Sequence, residues 1–104
     1  MSLTLLGLMR RANALSIGQD KAIPSVKSGK AKLLLIPSDA TDRTVKNAEC
    51  AVNNSKAQLI QVPYTSVEMA QAIGIENCMM LAITDEGFAK SFIKSLTKEK
   101  TEGM

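Results

Sequence analysis

Histidine is absent from this 104-residue chain, and with it go most general bases, catalytic triads and metal sites. The two cysteines, Cys50 and Cys78, lie 28 residues apart and have no histidine to complete a zinc site. They read as small buried hydrophobes and suit a reducing compartment better than a disulfide scaffold. Tryptophan is also missing, and aromatic residues make up 3% of the chain. Recognition of single strands by base stacking is therefore not expected. Both phenylalanines, Phe88 and Phe92, fall at helical core spacing.

No apolar run approaches the roughly 20 residues needed to span a bilayer. The opening "MSLTLLGLMRR" puts its apolar residues before its arginines, the reverse of a secretory signal. A cytosolic location is expected, without membrane association. The glycines, at 7, 18, 29, 74, 87 and 103, are too scattered for a dinucleotide loop. Gly29-Lys30 looks like the end of a phosphate loop, but Pro24 and Ala31 stand where that loop needs glycine and a hydroxyl. Asp39 follows a buried strand, as the phospho-acceptor of a receiver domain does, yet "LSIGQD" has only one of the two acids such a domain needs. A helix cap is the expected role for Asp39. Neither an enzyme nor a cofactor is expected.

What remains is one globular domain, 45% hydrophobic and 22% charged. Its net charge is +3, but the stretch from Arg10 to Lys32 holds six basic residues against Asp20, giving +5 in 23 residues. Such a field attracts phosphate backbones. It also suits a solvated surface, and composition leaves both readings open.

Periodicity divides the chain into alternating elements. A first helix over 4–13 has Leu5, Leu8, Met9 and Ala12 on one stripe. A short strand, 15–17, stops at Gly18. A second helix begins in the early or mid twenties and ends at Ser28. "AKLLLI" over 31–36 is apolar without alternation, as in a central strand covered on both faces. Ser38, Asp39 or Thr41 can cap a third helix carrying Val45, Ala48 and Val52. "AQLIQV" is a strand closed by Pro63, and Thr65 with Glu68 forms a capping-box signature for a fourth helix. "MMLAIT" is the last strand. A final helix starts near Glu86, and 97–104 is expected to fray. Alternation of this kind predicts a largely parallel sheet in a three-layer α/β/α domain.

In this order, "LGLMRRANALSIG", "SGKAKLLLIPSDAT", "VPYTSVEMAQAIG" and "LAITDEGFAKSF" resemble the kink-turn-binding superfamily of large-subunit ribosomal proteins. Within it they look like the small bacterial YlxQ-type homologues. The resemblance covers about residues 3–96 and implies a three-layer α/β/α sandwich around a four-stranded mixed sheet. In that family a glycine-x-asparagine-glutamate loop opens the second helix and grips the tandem sheared G·A pairs of a kink-turn. A lysine follows three residues after the glutamate.

Here the loop is Gly18-Gln19-Asp20-Lys21, with Pro24 in place of the later lysine. The glycine is kept and three reading positions have changed. Asp20 only accepts, so it has lost the amide's donor. Lys21 only donates, which suits guanine oxygens or phosphate. Pro24 moves the expected helix start to about Ile23 and leaves Asp20 and Lys21 in a looser turn. Asp20 reads equally as a simple N-cap. The resemblance also places contacts at Thr41 and Val45 and in the loop Ile75-Glu76-Asn77-Cys78-Met79, while the positive charge offers Lys21, Lys27, Lys30 and Arg10 or Arg11 as phosphate contacts. Periodicity alone puts Val45 in the core.

The expected function is binding of structured, kink-turn-like RNA, ribosomal or other, by a monomer, with ribosome association. The alternative is a protein-interaction module of the same fold whose RNA site has decayed.

Overall fold

A computed structural model describes the backbone of residues 2–53 and 55–102, and the side chains of 4–53 and 55–97. In chain order the elements are α1 (Ser2–Arg11), β1 (Leu15–Ile17), α2 (Gln19–Lys27), β2 (Leu33–Ile36), α3 (Asp42–Asn53), β3 (Gln58–Gln61), α4 (Ser66–Ile73), β4 (Leu81–Ile83) and α5 (Glu86–Glu102). The run without alternation at 31–36 and the last strand's segment at 79–84 supply the two central strands. Every side chain of β2 and β4 is buried, because helices cover both faces of the sheet there.

The sheet order is β1-β4-β2-β3. Only β2 and β3 run parallel, while β4 is antiparallel to both its neighbours. The largely parallel sheet expected from alternation is thus corrected to the mixed sheet that the family resemblance implied. The reason lies in the connection after α4. A parallel β4 would start where α4 ends, but residues 75–80 carry the chain back to the opposite edge, and β4 enters reversed.

Alternation along the central strands builds two cores. Leu33, Leu35, Leu81 and Ile83 face α1, α4 and α5, where they meet Leu6, Met9, Met69, Ile73 and Phe92. Leu34, Ile36, Met80 and Ala82 face α2 and α3, whose buried contributions are small: Ala22, Val26, Ala48 and Ala51. The result is the expected three-layer α/β/α sandwich.

On α1 the stripe is displaced from the one periodicity suggested. Leu6 and Met9 are fully buried, whereas Leu8 is 49% exposed and Ala12 faces solvent. Four leucines in six positions fit two helical phases, and the sheet selects the one that buries Leu6. Burial of such a side chain contributes about 1.5–3 kcal/mol. At the other end, the frayed segment expected over 97–104 is helical as far as Glu102, and 103–104 lie outside the described residues.

Helix α4 starts and stops as its sequence indicated. The Thr65 hydroxyl accepts from the Glu68 amide at 3.2 Å, and the Glu68 carboxylate accepts from the Thr65 amide at 3.0 Å. Gly74 closes the helix in a left-handed conformation, φ 77°. Asp39 is a cap, but of α4 and not of the helix that follows it. Its carboxylate accepts from the Ser66 amide at 2.8 Å and the Ser66 hydroxyl at 3.0 Å. Thr41 caps α3 instead, accepting from the Thr44 amide at 3.2 Å.

The Ser66 amide holds the Asp39 carboxyl below its usual range; desolvation opposes it less strongly, and the Ser66 hydroxyl adds a smaller lowering. A lowered folded-state pKa stabilises the protein above the unfolded value and ceases to do so as pH falls through the folded value. Asp39→Ala should therefore lower Tm by a few degrees at pH 7. The gap from wild type should close as pH drops below about 4, read by circular dichroism melts from pH 7 to pH 2. A gap that stays constant to pH 2 would contradict a stabilising role for the Asp39–Ser66 bonds.

Candidate nucleic-acid interface

Strand register brings distant parts of the chain to one edge of the sheet. Ile17 pairs with Leu81, Leu81 with Leu35, and Leu35 with Ile60. The chain leaves β1, β2 and β3 beyond this row and enters β4 from the same side. Three helices, α2, α3 and α4, therefore begin at this edge, and the 75–80 connection arrives there. Its last residue is tied to the first turn, because the Gly18 amide donates to the Met80 carbonyl at 3.0 Å. Helix N-termini present unpaired amides and a positive dipole end, which suit anionic or acceptor-rich ligands.

Gly18 is the N-cap of α2, with φ 89° and ψ 154°. A side chain there would be strained in that conformation and would bring Cβ to 3.0 Å from Asp20 Oδ1. The Gly18 carbonyl accepts from the Lys21 amide at 3.2 Å and the Ala22 amide at 2.8 Å. The helix therefore begins at Gln19, not near Ile23. Asp20 is not its N-cap, and Asp20 and Lys21 do not sit in a loose turn. They are the second and third helical residues, both exposed.

Pro24 lies inside α2. It has no amide to donate to the Asp20 carbonyl, which costs the helix about 3 kcal/mol. Two features hold the helix regardless. Ala22 and Val26, one turn apart, are fully buried against β2 and β4, and the Ser25 hydroxyl bonds the Ser16 hydroxyl of β1 at 2.6 Å. Next to α2, exposed Thr41 opens α3, and half-buried Val45 packs on the same core as Ile23. In the connection before β4, Ile75 packs half-buried on the opposite core, while Glu76 and Asn77 are exposed.

This geometry has known counterparts. The family model of the ribosomal protein L7Ae/L30e/S12e/Gadd45 family matches residues 2–93. The chain belongs to that family. RNA-binding protein YlxQ of Bacillus subtilis (strain 168) is 35% identical over 96 residues, spanning 88% of this chain and 91% of the relative. RNA-binding protein YlxQ of Enterococcus faecium is 31% identical over 106 residues, spanning 98% and 92%. Among solved structures, a protein with unknown function from Bacillus halodurans C superposes with a TM-score of 0.85 at 25% identity, over 92% of this chain and 96% of that one. The Giardia lamblia 15.5kD RNA binding protein shares the fold, with a TM-score of 0.74 at 17% identity over 95% and 84% of the two chains.

Within this L7Ae-family chain, not every expected contact residue lies at the converging edge. Gly18, Gln19, Asp20, Lys21, Thr41 and Val45 do, and the connection bearing Ile75, Glu76 and Asn77 ends there. Lys27 is eight residues beyond Gln19, about 12 Å along the helix axis. Lys30 follows the left-handed Gly29 at that far end. The Arg10 guanidinium donates to the Ile73 carbonyl at the C-terminus of α4, so it serves the fold. The converging edge thus has mixed charge, with Asp20 and Asp42 beside Lys21 and Arg43 at the starts of α2 and α3. Among the described residues, no group of His, Cys, Asp and Glu is placed to hold a metal ion.

The Pro24 segment departs from the local expectation because Ala22 and Val26 are buried against the sheet. That burial is visible only as spacing: Ala22, Val26 and Gly29 mark a helical face that starts before the proline. Pro24→Ala should restore the amide donor to Asp20 and stabilise the protein by about 1–3 kcal/mol. Urea denaturation measures this directly, and a loss of stability would mean that α2 does not run unbroken through residue 24.

Proposed function

We propose that this protein binds structured, kink-turn-like RNA, ribosomal RNA included, at the edge where α2 and α3 begin, through a reading loop whose side chains have been rewritten. The observation that carries this reading is the Gly18 turn. It keeps φ 89° and starts α2 at Gln19, so Asp20 and Lys21 stand exposed in the first helical turn. The names of both YlxQ relatives describe RNA-binding proteins, which supports the same class of ligand. The role proposed is recognition, without chemistry on the RNA.

The changed residues define what this loop can do. Asp20 accepts hydrogen bonds and fits the N–H edge of a guanine. Lys21 donates, and fits a guanine oxygen or a phosphate. Compared with an asparagine-glutamate pair, the acceptor and its neighbour have exchanged chemistry. Adjacent helical residues point about 100° apart, so the RNA must seat in a shifted register. Val45, half-buried beside Ile23, offers an apolar surface for a base that leaves the stack.

Fluorescence anisotropy with a labelled kink-turn RNA tests this, beside a control whose tandem G·A pairs are replaced by Watson–Crick pairs. We expect preference for the kink-turn at physiological salt. Lys21→Ala should weaken that binding and flatten its dependence on log salt by about one unit. Equal binding of the two RNAs would overturn kink-turn recognition. No binding of either at low salt would favour a protein-interaction module instead.

A further inference from the structure

Most of the positive charge between residues 10 and 32 is absent from the converging edge. Lys21 alone is there. Lys27 lies in the last turn of α2, Lys30 follows the Gly29 stop, and Lys32 precedes β2. The Lys32 amide donates to the Ile83 carbonyl at 2.8 Å, and its carbonyl accepts from the Gln58 amide at 3.3 Å, which fixes it at the start of β2. Parallel pairing of Leu33 with Gln58 places the start of β3 beside it. Lys56, two residues before that strand, therefore joins the same end of the sheet.

All four lysines are exposed, and among the described residues none is ion-paired. Exposed Glu49 lies near the end of α3 on the lysines' side of the sheet, and two further acids at this end, Asp85 and Glu86, open α5, which packs on the other face. These two are already engaged: Asp85 accepts from the Phe88 amide at 2.9 Å, and Glu86 pairs with Lys90 at 3.6 Å. The lysine end and the Gly18 end are separated by the nine residues of α2, about 13 Å. Helix C-termini favour one or two cations, but Lys32 and Lys56 belong to strand starts and need a different reason.

We propose that Lys27, Lys30, Lys32 and Lys56 form a second RNA surface, which holds the phosphate backbone of a duplex stem while the Gly18 end reads the kink. The inference rests on the RNA-binding reading above and extends it to two contacts. Flexible ammonium groups suit this role, since they meet phosphates as point charges without reading sequence.

The test uses a plain RNA duplex without G·A pairs and a kink-turn RNA with short stems. The comparison is between wild type, Lys21→Ala, and the fourfold variant Lys27→Gln, Lys30→Gln, Lys32→Gln, Lys56→Gln. The fourfold variant should bind the duplex at least tenfold more weakly at low salt, with its salt slope reduced by about three. It should keep the ratio of kink-turn to control affinity, whereas Lys21→Ala should leave duplex binding nearly intact. Labelled duplex should also remain bound when unlabelled kink-turn RNA saturates the other end. Duplex affinity unchanged in the fourfold variant would overturn the proposal, as would a fall in Tm without any loss of duplex binding. Full competition between the two RNAs would also overturn it. Lysine-dependent duplex binding without any kink-turn preference would uphold this surface and refute the reading at Gly18, so the two failures can be told apart.

Discussion

The antiparallel insertion of β4 between β1 and β2 is the constraint on which the rest of the molecule depends. Because Leu81 pairs with both Ile17 and Leu35, the end of β1, the end of β2 and the start of β4 share one edge. Had β4 run parallel, the 75–80 connection would lie at the opposite end from Gly18. The hydrogen bond from the Gly18 amide to the Met80 carbonyl could not then form. The same strand is buried on both faces, so one short segment organises both cores and the candidate interface.

Helix α2 shows how the candidate edge is kept against local sequence preference. A proline in its interior removes one hydrogen bond, and a glycine at its start supplies no side-chain cap. What compensates is tertiary: two residues sealed into an alanine-lined core and a serine pair to β1. Propensity is a weak influence beside burial of this kind. The outcome matters for function because it decides where Asp20 and Lys21 stand. In a helix starting at Gln19 their directions are fixed by the first turn, and in a loop ending at Ile23 they would not be.

Much of this architecture was legible in the sequence. The run without alternation at 31–36 identified a strand covered on both faces, "MMLAIT" marked the last strand, and the Thr65–Glu68 box and Gly74 marked both ends of α4. Such signals are local and carry their own geometry. The failures share a cause, in that each depended on a partner distant in the chain. Strand direction depended on the path of residues 75–80, the face of α1 on which leucines the sheet would accept, and Asp39's role on Ser66. The Gly18 loop could be located by resemblance, but its conformation could not, because Ala22 and Val26 needed the sheet to declare them buried. Likewise Lys27 and Lys30 look close to Lys21 in sequence, and only the length of α2 separates them.

We propose that three chain passages meet to form one RNA-reading edge. The most direct measurement is a map of backbone amide chemical shifts as a kink-turn RNA with short stems is added to the isotope-labelled protein. The largest changes are expected at Gly18–Ala22, Thr41–Val45 and Ile75–Met80, with α1, the outer face of α4 and α5 unmoved. Changes centred on α1 and α4, with Gly18 and Lys21 silent, would contradict it.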